Sequence, residues 1–404
     1  MLLHREIPPT AGLPLHWQDL LSFDTRPSLA DYLAKQLDIP DPLLTCSGTA
    51  AFMVALRALH RKAPSRHVVV IPAYTCPLVP IAVRQLGLSL RLCDLLPGHF
   101  DLDPKALAAA CREDTLAIVP THLAGLVADV TTALSIARNA GAFVIEDAAQ
   151  ALGAEQDGRS VGLQGDAGFF SLAAGKGLST YEGGILIARD NAIRKAMAYE
   201  ATEMLPCNWR MELLRCMQLL GLAICYRPSL LTLAYGLPLR RSLRRGDPIA
   251  AIGDHFPMQV PLHSVSRWRQ AVGARAAARW PDFLAHRRLL AQQRIERLRR
   301  IHGLQVFDER PGSTASWPYF LLLMPDEAKR DAALGQLWQS GLGVSRIFVH
   351  ALPDYDYLAD CIPRTATPRA RDFAARTLTI SNSPWLEDAD FEHICATLDR
   401  VLRT

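Results

Sequence analysis

Between about residues 43 and 190, short apolar runs alternate with helical patterns, and this alternation restricts the fold more than any other feature of the chain. Val68-Val69-Val70-Ile71, Ser89-Leu90-Arg91-Leu92-Cys93, Leu116-Ala117-Ile118-Val119 and Phe143-Val144-Ile145 read as buried strands. Helical segments separate them, at Thr49 to Leu59, Pro104 to Cys111 and Val130 to Ala140. Such a rhythm predicts an α/β class with a doubly wound, mostly parallel sheet covered by helices on both faces. Ligands of such sheets sit at the carboxyl ends of the strands. The polar residues that follow each apolar run are therefore the candidates for chemistry.

With 404 residues, half of them hydrophobic, the chain can bury a large core, and two domains are expected. The larger covers 1–265, with an atypical apolar insert at about 205–245. The smaller, an α+β unit, covers 266–404. Arg267 to Arg300 reads as one long Arg-rich helix, whose cluster from Arg287 onward suggests a solvated face. Beyond it, Tyr319 to Leu323 reads as a strand, and Asp326 to Ser340 and Asp388 to Leu402 as helices. A net charge of +4 is too small to imply nucleic acid. The nine cysteines show neither a CxxC pair nor a zinc-like spacing, so no metal and a reduced, cytoplasmic setting are expected. The N-terminus lacks an apolar core long enough for a signal peptide.

The chain has 38 arginines and six lysines, and one of those lysines, Lys176, stands between two glycines. Lys can deprotonate and Arg cannot. Only a neutral amine attacks an aldehyde, which is how a lysine holds pyridoxal phosphate as a Schiff base. Taken alone, Lys176 would read as a solvated loop residue. Three strand-end motifs upstream change that. Cys46-Ser47-Gly48-Thr49-Ala50-Ala51 opens a helix, whose N-terminus offers free N–H groups to a phosphate. An ordinary cap by Ser47 or Thr49 is the plainer alternative. Asp147 follows the run Phe143-Val144-Ile145 and could hold a cationic ring nitrogen, or merely cap the next helix. Gln150 is either a partner for a ring hydroxyl or a surface polar residue. Ser171 lies five residues before Lys176, where its hydroxyl could reach a phosphate.

Together these stretches resemble the pyridoxal-phosphate-dependent aminotransferases of the DegT/StrS type. The resemblance rests on Ser47-Gly48-Thr49-Ala50-Ala51, Ile71-Pro72-Ala73-Tyr74-Thr75, His122-Leu123-Ala124-Gly125, Val144 to Ala154, Gly165 to Ser171, Lys176 and Glu182-Gly183-Gly184. It implies fold type I and pyridoxal 5'-phosphate as cofactor. It implies that Lys176 is the covalent anchor and proton shuttle, that Asp147 pairs with the pyridine nitrogen, and that Gln150 contacts the phenolic oxygen. Gly48, Thr49, Ala50 and Ser171 would bind the phosphate. It also implies a homodimer with the site at the interface, an amino-acid donor (usually glutamate) and a keto-sugar acceptor, often nucleotide-linked. A dehydratase of the same family, where the lysine is replaced by His, and a regulator that kept the fold are the alternatives.

The chain leaves the family pattern in three places. The aromatic expected to stack on the ring is Cys76, with Tyr74 a substitute. The partner-subunit Asn falls near His263 or Ser264, and Ser264 could still donate to phosphate. The substrate-facing positions implied are His122, Arg346 and His350. The third departure is the insert, which reads as two short helices with a wide apolar face. Extra dimer interface or a lid is its plainer reading. The sharper one is a surface that lies on a membrane or takes a lipid-linked or carrier-bound substrate.

Overall fold

The computed structural model describes residues 5–21 and 26–404. A helix at Leu29–Leu37 (α1) precedes the first strand, Leu43–Thr45 (β1), and Gly48–Lys62 (α2) follows it. The expected alternation then runs through Val68–Pro72 (β2), Leu78–Gln85 (α3), Ser89–Cys93 (β3), Pro104–Ala110 (α4), Thr115–Ile118 (β4), Val130–Ala140 (α5) and Phe143–Asp147 (β5). Ala167–Ser171 (β6) and Gly184–Ile187 (β7) complete a seven-stranded sheet of order β1-β7-β6-β5-β4-β2-β3. Only β7 runs against the others. All five residues of β2 are buried, because helices cover both faces of the sheet. Helix α2 is apolar nearly all round from Ala50 to Leu56, which suits a helix lying wholly inside the protein.

Asn191–Met204 (α6) leads into the insert, whose first helix is a single element of 17 residues, Trp209–Cys225 (α7). Leu237–Arg244 (α8) ends the insert. The stretch Pro228–Arg244 turns by 112° from α7, with Pro228 at the bend. No single helix among the described residues is long and apolar enough to cross a membrane.

The expected long Arg-rich helix is two helices, Arg267–Ala277 (α9) and Trp280–Arg299 (α10). Pro281, in the first turn of α10, lacks the N–H that continuation would need. The solvated Arg face holds for Arg299 and Arg300, which are exposed, but not for the whole cluster. Arg287 and Arg294 point inward and are buried. Arg287 donates to Ala11 O at 2.9 Å, and Arg294 donates to Asn382 Oδ1 at 3.2 Å. Their spacing of seven residues puts both on one helix face, where they satisfy backbone and amide acceptors between elements.

Val272, Ala276, Trp280 and Leu284 pack with Leu29, Leu33 and Phe170, so α9 and the start of α10 belong by packing to the large sheet. The second sheet begins only with Gln305–Val306 (β8), followed by Tyr319–Leu323 (β9), Val344–Ser345 (β10) and Thr377–Ser381 (β11). It is antiparallel, of order β8-β9-β11-β10. Glu327–Leu337 (α11), Pro368–Arg376 (α12) and Asp388–Arg403 (α13) accompany it. The N-terminal segment ties the two parts together: Ile7 N–H donates to Gly341 O and Ala11 N–H to Pro318 O, each at 2.8 Å.

Candidate active site

A cavity of about 420 Å³ opens at the carboxyl ends of β2, β4, β5 and β6, where a doubly wound sheet is expected to bind its ligand. Gly48 and Thr49 wall one side. They open α2, and their N–H groups precede the helix's own hydrogen-bond ladder. Gly48 has a steric reason to be glycine, since a Cβ there would lie 3.1 Å from Ser171 Cβ. The bare backbone lets the helix N-terminus approach the Ser171 hydroxyl across the cavity. Ala50 does not reach the wall: it is buried and its N–H is taken by Ser47 Oγ at 3.0 Å.

Lys176 enters from the loop between β6 and β7. Gly175 beside it has φ +78°, and a Cβ there would strike Thr10 Oγ1. That turn aims the lysine into the cavity. Burial lowers the Lys176 ammonium below its usual range, against the opposing pull of Cys76 and Asp147. Asp147 sits at the last residue of β5 on the same cavity. Burial raises its carboxyl to about 6, although the Ala149 N–H, Lys176 and His122 all oppose that rise. A buried acid and a buried base thus share one cavity, each in an environment that disfavours its own charge. A cation placed against Asp147 would reverse its shift.

Gln150 lies on the wall with its carbonyl fixed, because Oε1 accepts from Ala124 N–H at 3.0 Å and from the Tyr319 hydroxyl. Its amide NH2 is left for the cavity. Thr75 and Thr121 also line it, and the hydroxyl oxygen of each is buried without a hydrogen-bond partner among the described residues. Unsatisfied buried hydroxyls are costly and call for a polar ligand. Cys76 is on the wall, and burial lifts its thiol to about 12, so it is present as the neutral thiol.

Several sequence expectations are corrected. Tyr74 does not face the cavity. Its ring packs edge-on between Phe348 and Phe373, 5.4 and 5.2 Å away, and its hydroxyl meets Thr377 Oγ1 at 3.3 Å. His122 is fully buried, and its Nδ1 accepts from Ala128 N–H at 3.0 Å. Its Nε2 therefore carries the proton and donates to Glu146 at 3.1 Å. Glu146 in turn accepts the N–H groups of Gly162, Gln164 and Gly165, so the pair fastens a loop and lies off the cavity wall. Arg346 is spent on Val349 O and Ala374 O, at 2.6 and 2.7 Å, off the cavity wall. His350 stands edge-on to Tyr355, also off the wall. Ser264 does not line the cavity of its own chain. His263 is buried and its Nδ1 lies 3.0 Å from Glu212 Oε1.

Sequence reasoning missed Thr121, Phe256, Phe348 and, above all, Arg215 and Glu182. Arg215 comes from α7 in the insert, and its Nε lies 2.6 Å from Glu182 Oε2 on the cavity wall. Thr75 and Thr121 were within reach, since each follows a strand end. Glu182 stood in the stretch Glu182-Gly183-Gly184 without a role, while Arg215, Phe256 and Phe348 arrive from distant elements and carry no local signal.

Comparison with known proteins agrees with this geometry. The model of the DegT/DnrJ/EryC1/StrS aminotransferase family matches residues 24–210 and 265–399. Protein MosB of Rhizobium meliloti is 40% identical over 151 residues, 37% of this chain and 29% of that protein. L-glutamine:2-deoxy-scyllo-inosose aminotransferase of Streptomyces kanamyceticus is 35% identical over 185 residues, 44% of this chain and 43% of that protein. The matched part of this chain thus spans less than half the length of either relative. Among solved structures, sugar aminotransferase CalS13 from Micromonospora echinospora superposes with a TM-score of 0.73 at 21% identity, covering 98% of this chain and all of that one, which shows the shared fold. The stretch left between the two matched segments, 211–264, holds nearly all of the insert.

Proposed function

The chain belongs to the DegT/DnrJ/EryC1/StrS aminotransferase family, and from that premise we propose that it moves an amino group from an amino acid, with glutamate as donor, to a nucleotide-linked keto-sugar. The observation that carries this reading is the buried Lys176, its ammonium disfavoured, in one cavity with Asp147 and the N-terminus of α2. The donor set fits pyridoxal phosphate. Gly48 and Thr49 N–H with the Ser171 hydroxyl suit a phosphate, Asp147 suits a protonated ring nitrogen, and the Gln150 amide suits a ring oxygen. The partnerless hydroxyls of Thr75 and Thr121 are further donors awaiting a polar ligand. When bound, the cofactor supplies the electron sink and the carbonyl that carries nitrogen between two substrates.

The protein's own groups do the rest. Burial lowers the Lys176 ammonium and so favours the neutral amine, the form that can attack a carbonyl and afterwards take a proton from the donor's α-carbon and return it. A cation against Asp147 would reverse the upward shift of its carboxyl, which ties its ionisation to cofactor binding. Phe52, Phe169 and Val79 on the wall exclude water. Arg215 is the basic side chain placed to meet an anionic part of the acceptor. The reading includes a homodimer in which Ser264 serves the other copy's phosphate site. Its support is that Ser264 does not line its own chain's cavity. It also includes a cytoplasmic setting, supported by nine cysteines that are all free.

The test is a pair of half-reactions on the purified chain loaded with cofactor. Glutamate should bleach the bound cofactor's visible absorbance, and a nucleotide-linked keto-sugar should restore it with release of an amino-sugar. Failure of glutamate and other amino acids to change the absorbance would overturn the reading.

A further inference from the structure

Helix α7 is apolar on two sides: Leu219 is fully buried, with Leu222 and Ala223 packed on the same core, and a second apolar stripe faces outward. Its inward side carries Glu212, which hydrogen-bonds Arg269 Nη1 at 2.6 Å, and Arg215, which meets Glu182. Its outward side carries Trp209, Leu213, Met217, Leu220 and Ile224, at the three- and four-residue spacing of one helix stripe. Trp209 is 67% exposed, and Met217 and Ile224 are 60% exposed each. Leu233 and Leu237 extend the apolar surface beyond the bend. An exposed apolar stripe of this length is suited to being covered by something apolar.

The charge around this face says what that is. Between residues 205 and 246 the chain has seven arginines and one acid, Glu212, which is buried. Arg210, Arg227, Arg241, Arg244 and Arg245 are exposed. Arg210 lies over the Trp209 ring at 5.5 Å, a pairing suited to a headgroup layer, where an indole has one side apolar and the other wet. A second copy of the chain would bring the same arginines, with no exposed acid in this stretch to meet them. An anionic lipid surface meets both the apolar stripe and the arginines. The segment from Trp209 to Arg244 has the apolar composition of a broken span, but Glu212 and Arg215 fasten α7 to the body of the protein.

We propose that α7 and α8 form a docking surface for an anionic membrane, seating the enzyme with the stripe Trp209–Ile224 in the headgroup layer. The claim is independent of the reaction in the neighbouring cavity. The experiment is flotation of the full-length protein with vesicles of phosphatidylcholine alone or mixed with phosphatidylglycerol. The intact chain should float with the phosphatidylglycerol vesicles, and added salt should release it. The triple variant Leu213→Asp/Met217→Asp/Ile224→Asp should stay unbound with its thermal unfolding unchanged. Arg241→Ala/Arg244→Ala/Arg245→Ala should bind on the order of a hundredfold more weakly, from roughly fivefold per arginine near an anionic surface. An intact chain that floats with neither vesicle overturns the proposal, as does binding that survives the triple Asp variant. So does an intact chain that ignores vesicles but falls from a dimer to a monomer in that variant, which would make the face a contact between copies.

Discussion

Arg215 Nε and Glu182 Oε2 lie 2.6 Å apart on the cavity wall, one from the insert helix and the other from the loop that follows Lys176. Burial pushes the Glu182 carboxyl up, while Arg215 and then Arg269 pull it down. The guanidinium is not saturated: Nη1 goes to Gln218 Oε1 at 2.8 Å, and the remaining edge is free to meet an incoming anion.

Replacing Arg215 by Met should therefore act on acceptor binding. A charge-assisted hydrogen bond contributes roughly 1.5–3 kcal/mol, so the acceptor KM should rise about ten- to a hundredfold while kcat with saturating acceptor changes little. Arg215→Lys should recover part of the loss, since the charge returns without the planar fork. An unchanged KM in the Met variant would show that the acceptor never touches this guanidinium.

Lys176→Ala should lower amino transfer by at least about 10²–10⁴-fold, the range attributable to a positioned proton-transfer group. Lys176→Arg should be no better, because Arg does not deprotonate. Mass spectrometry gives a separate readout. Borohydride treatment of the loaded parent should leave the cofactor's mass on the chain, and neither variant should retain it.

Asp147 allows a prediction on the cofactor-free protein. Its carboxyl is raised from 3.8 to about 6 by burial, so the folded chain disfavours the ionised form. The penalty is absent below about pH 4 and grows as pH rises through 6. Asp147→Asn removes it and still accepts the Ala149 N–H that Asp147 accepts at 3.0 Å. The empty variant should be more stable than the empty parent by roughly 2–3 kcal/mol at pH 7, with no difference near pH 4. Thermal unfolding at the two pH values checks this. Cofactor affinity should move the other way, weakening in the variant.

The parts of the site that could be read in the sequence were those held by local geometry. Asp147 and Ser171 end strands, and Gly48 opens a helix directly after one, so strand rhythm alone put them at one edge of the sheet. Lys176 was legible only beside those strand-end motifs, since composition alone leaves it a loop lysine. Tyr74 was misassigned because neighbouring residues after β2 point different ways: Thr75 and Cys76 reach the cavity while Tyr74 turns into the core against Phe348. Arg346 looked like a ligand for anions, but two backbone carbonyls of the small sheet's connections had already claimed it. Arg215 could not be found, since nothing in the pattern of α7 says which side faces the protein. Apolar residues lie on both of its sides, Leu219 buried and Leu213, Met217 and Ile224 exposed, so amphipathicity gives no direction.

The anchor of that helix is Glu212, and it sets the acid stability of the insert. Burial pushes its carboxyl up, but His263, Arg269 and Ser266 outweigh burial and hold it at about 2. Since the folded value is depressed below 4.5, the stabilisation is fully present above about pH 4.5 and is lost as pH falls toward 2. Glu212→Gln leaves His263 and Arg269 buried without their anion, and removing one partner of a buried pair costs about 3–5 kcal/mol. The variant should thus be less stable at pH 7 by about that amount, and the gap should narrow as pH drops below 4.5 because the parent loses the same charge. Because α7 also carries Arg215, hydrogen exchange in residues 209–225 should rise together with the acceptor KM. A variant as stable as the parent at pH 7, with α7 equally protected, would mean that the helix is held by something other than this buried carboxylate.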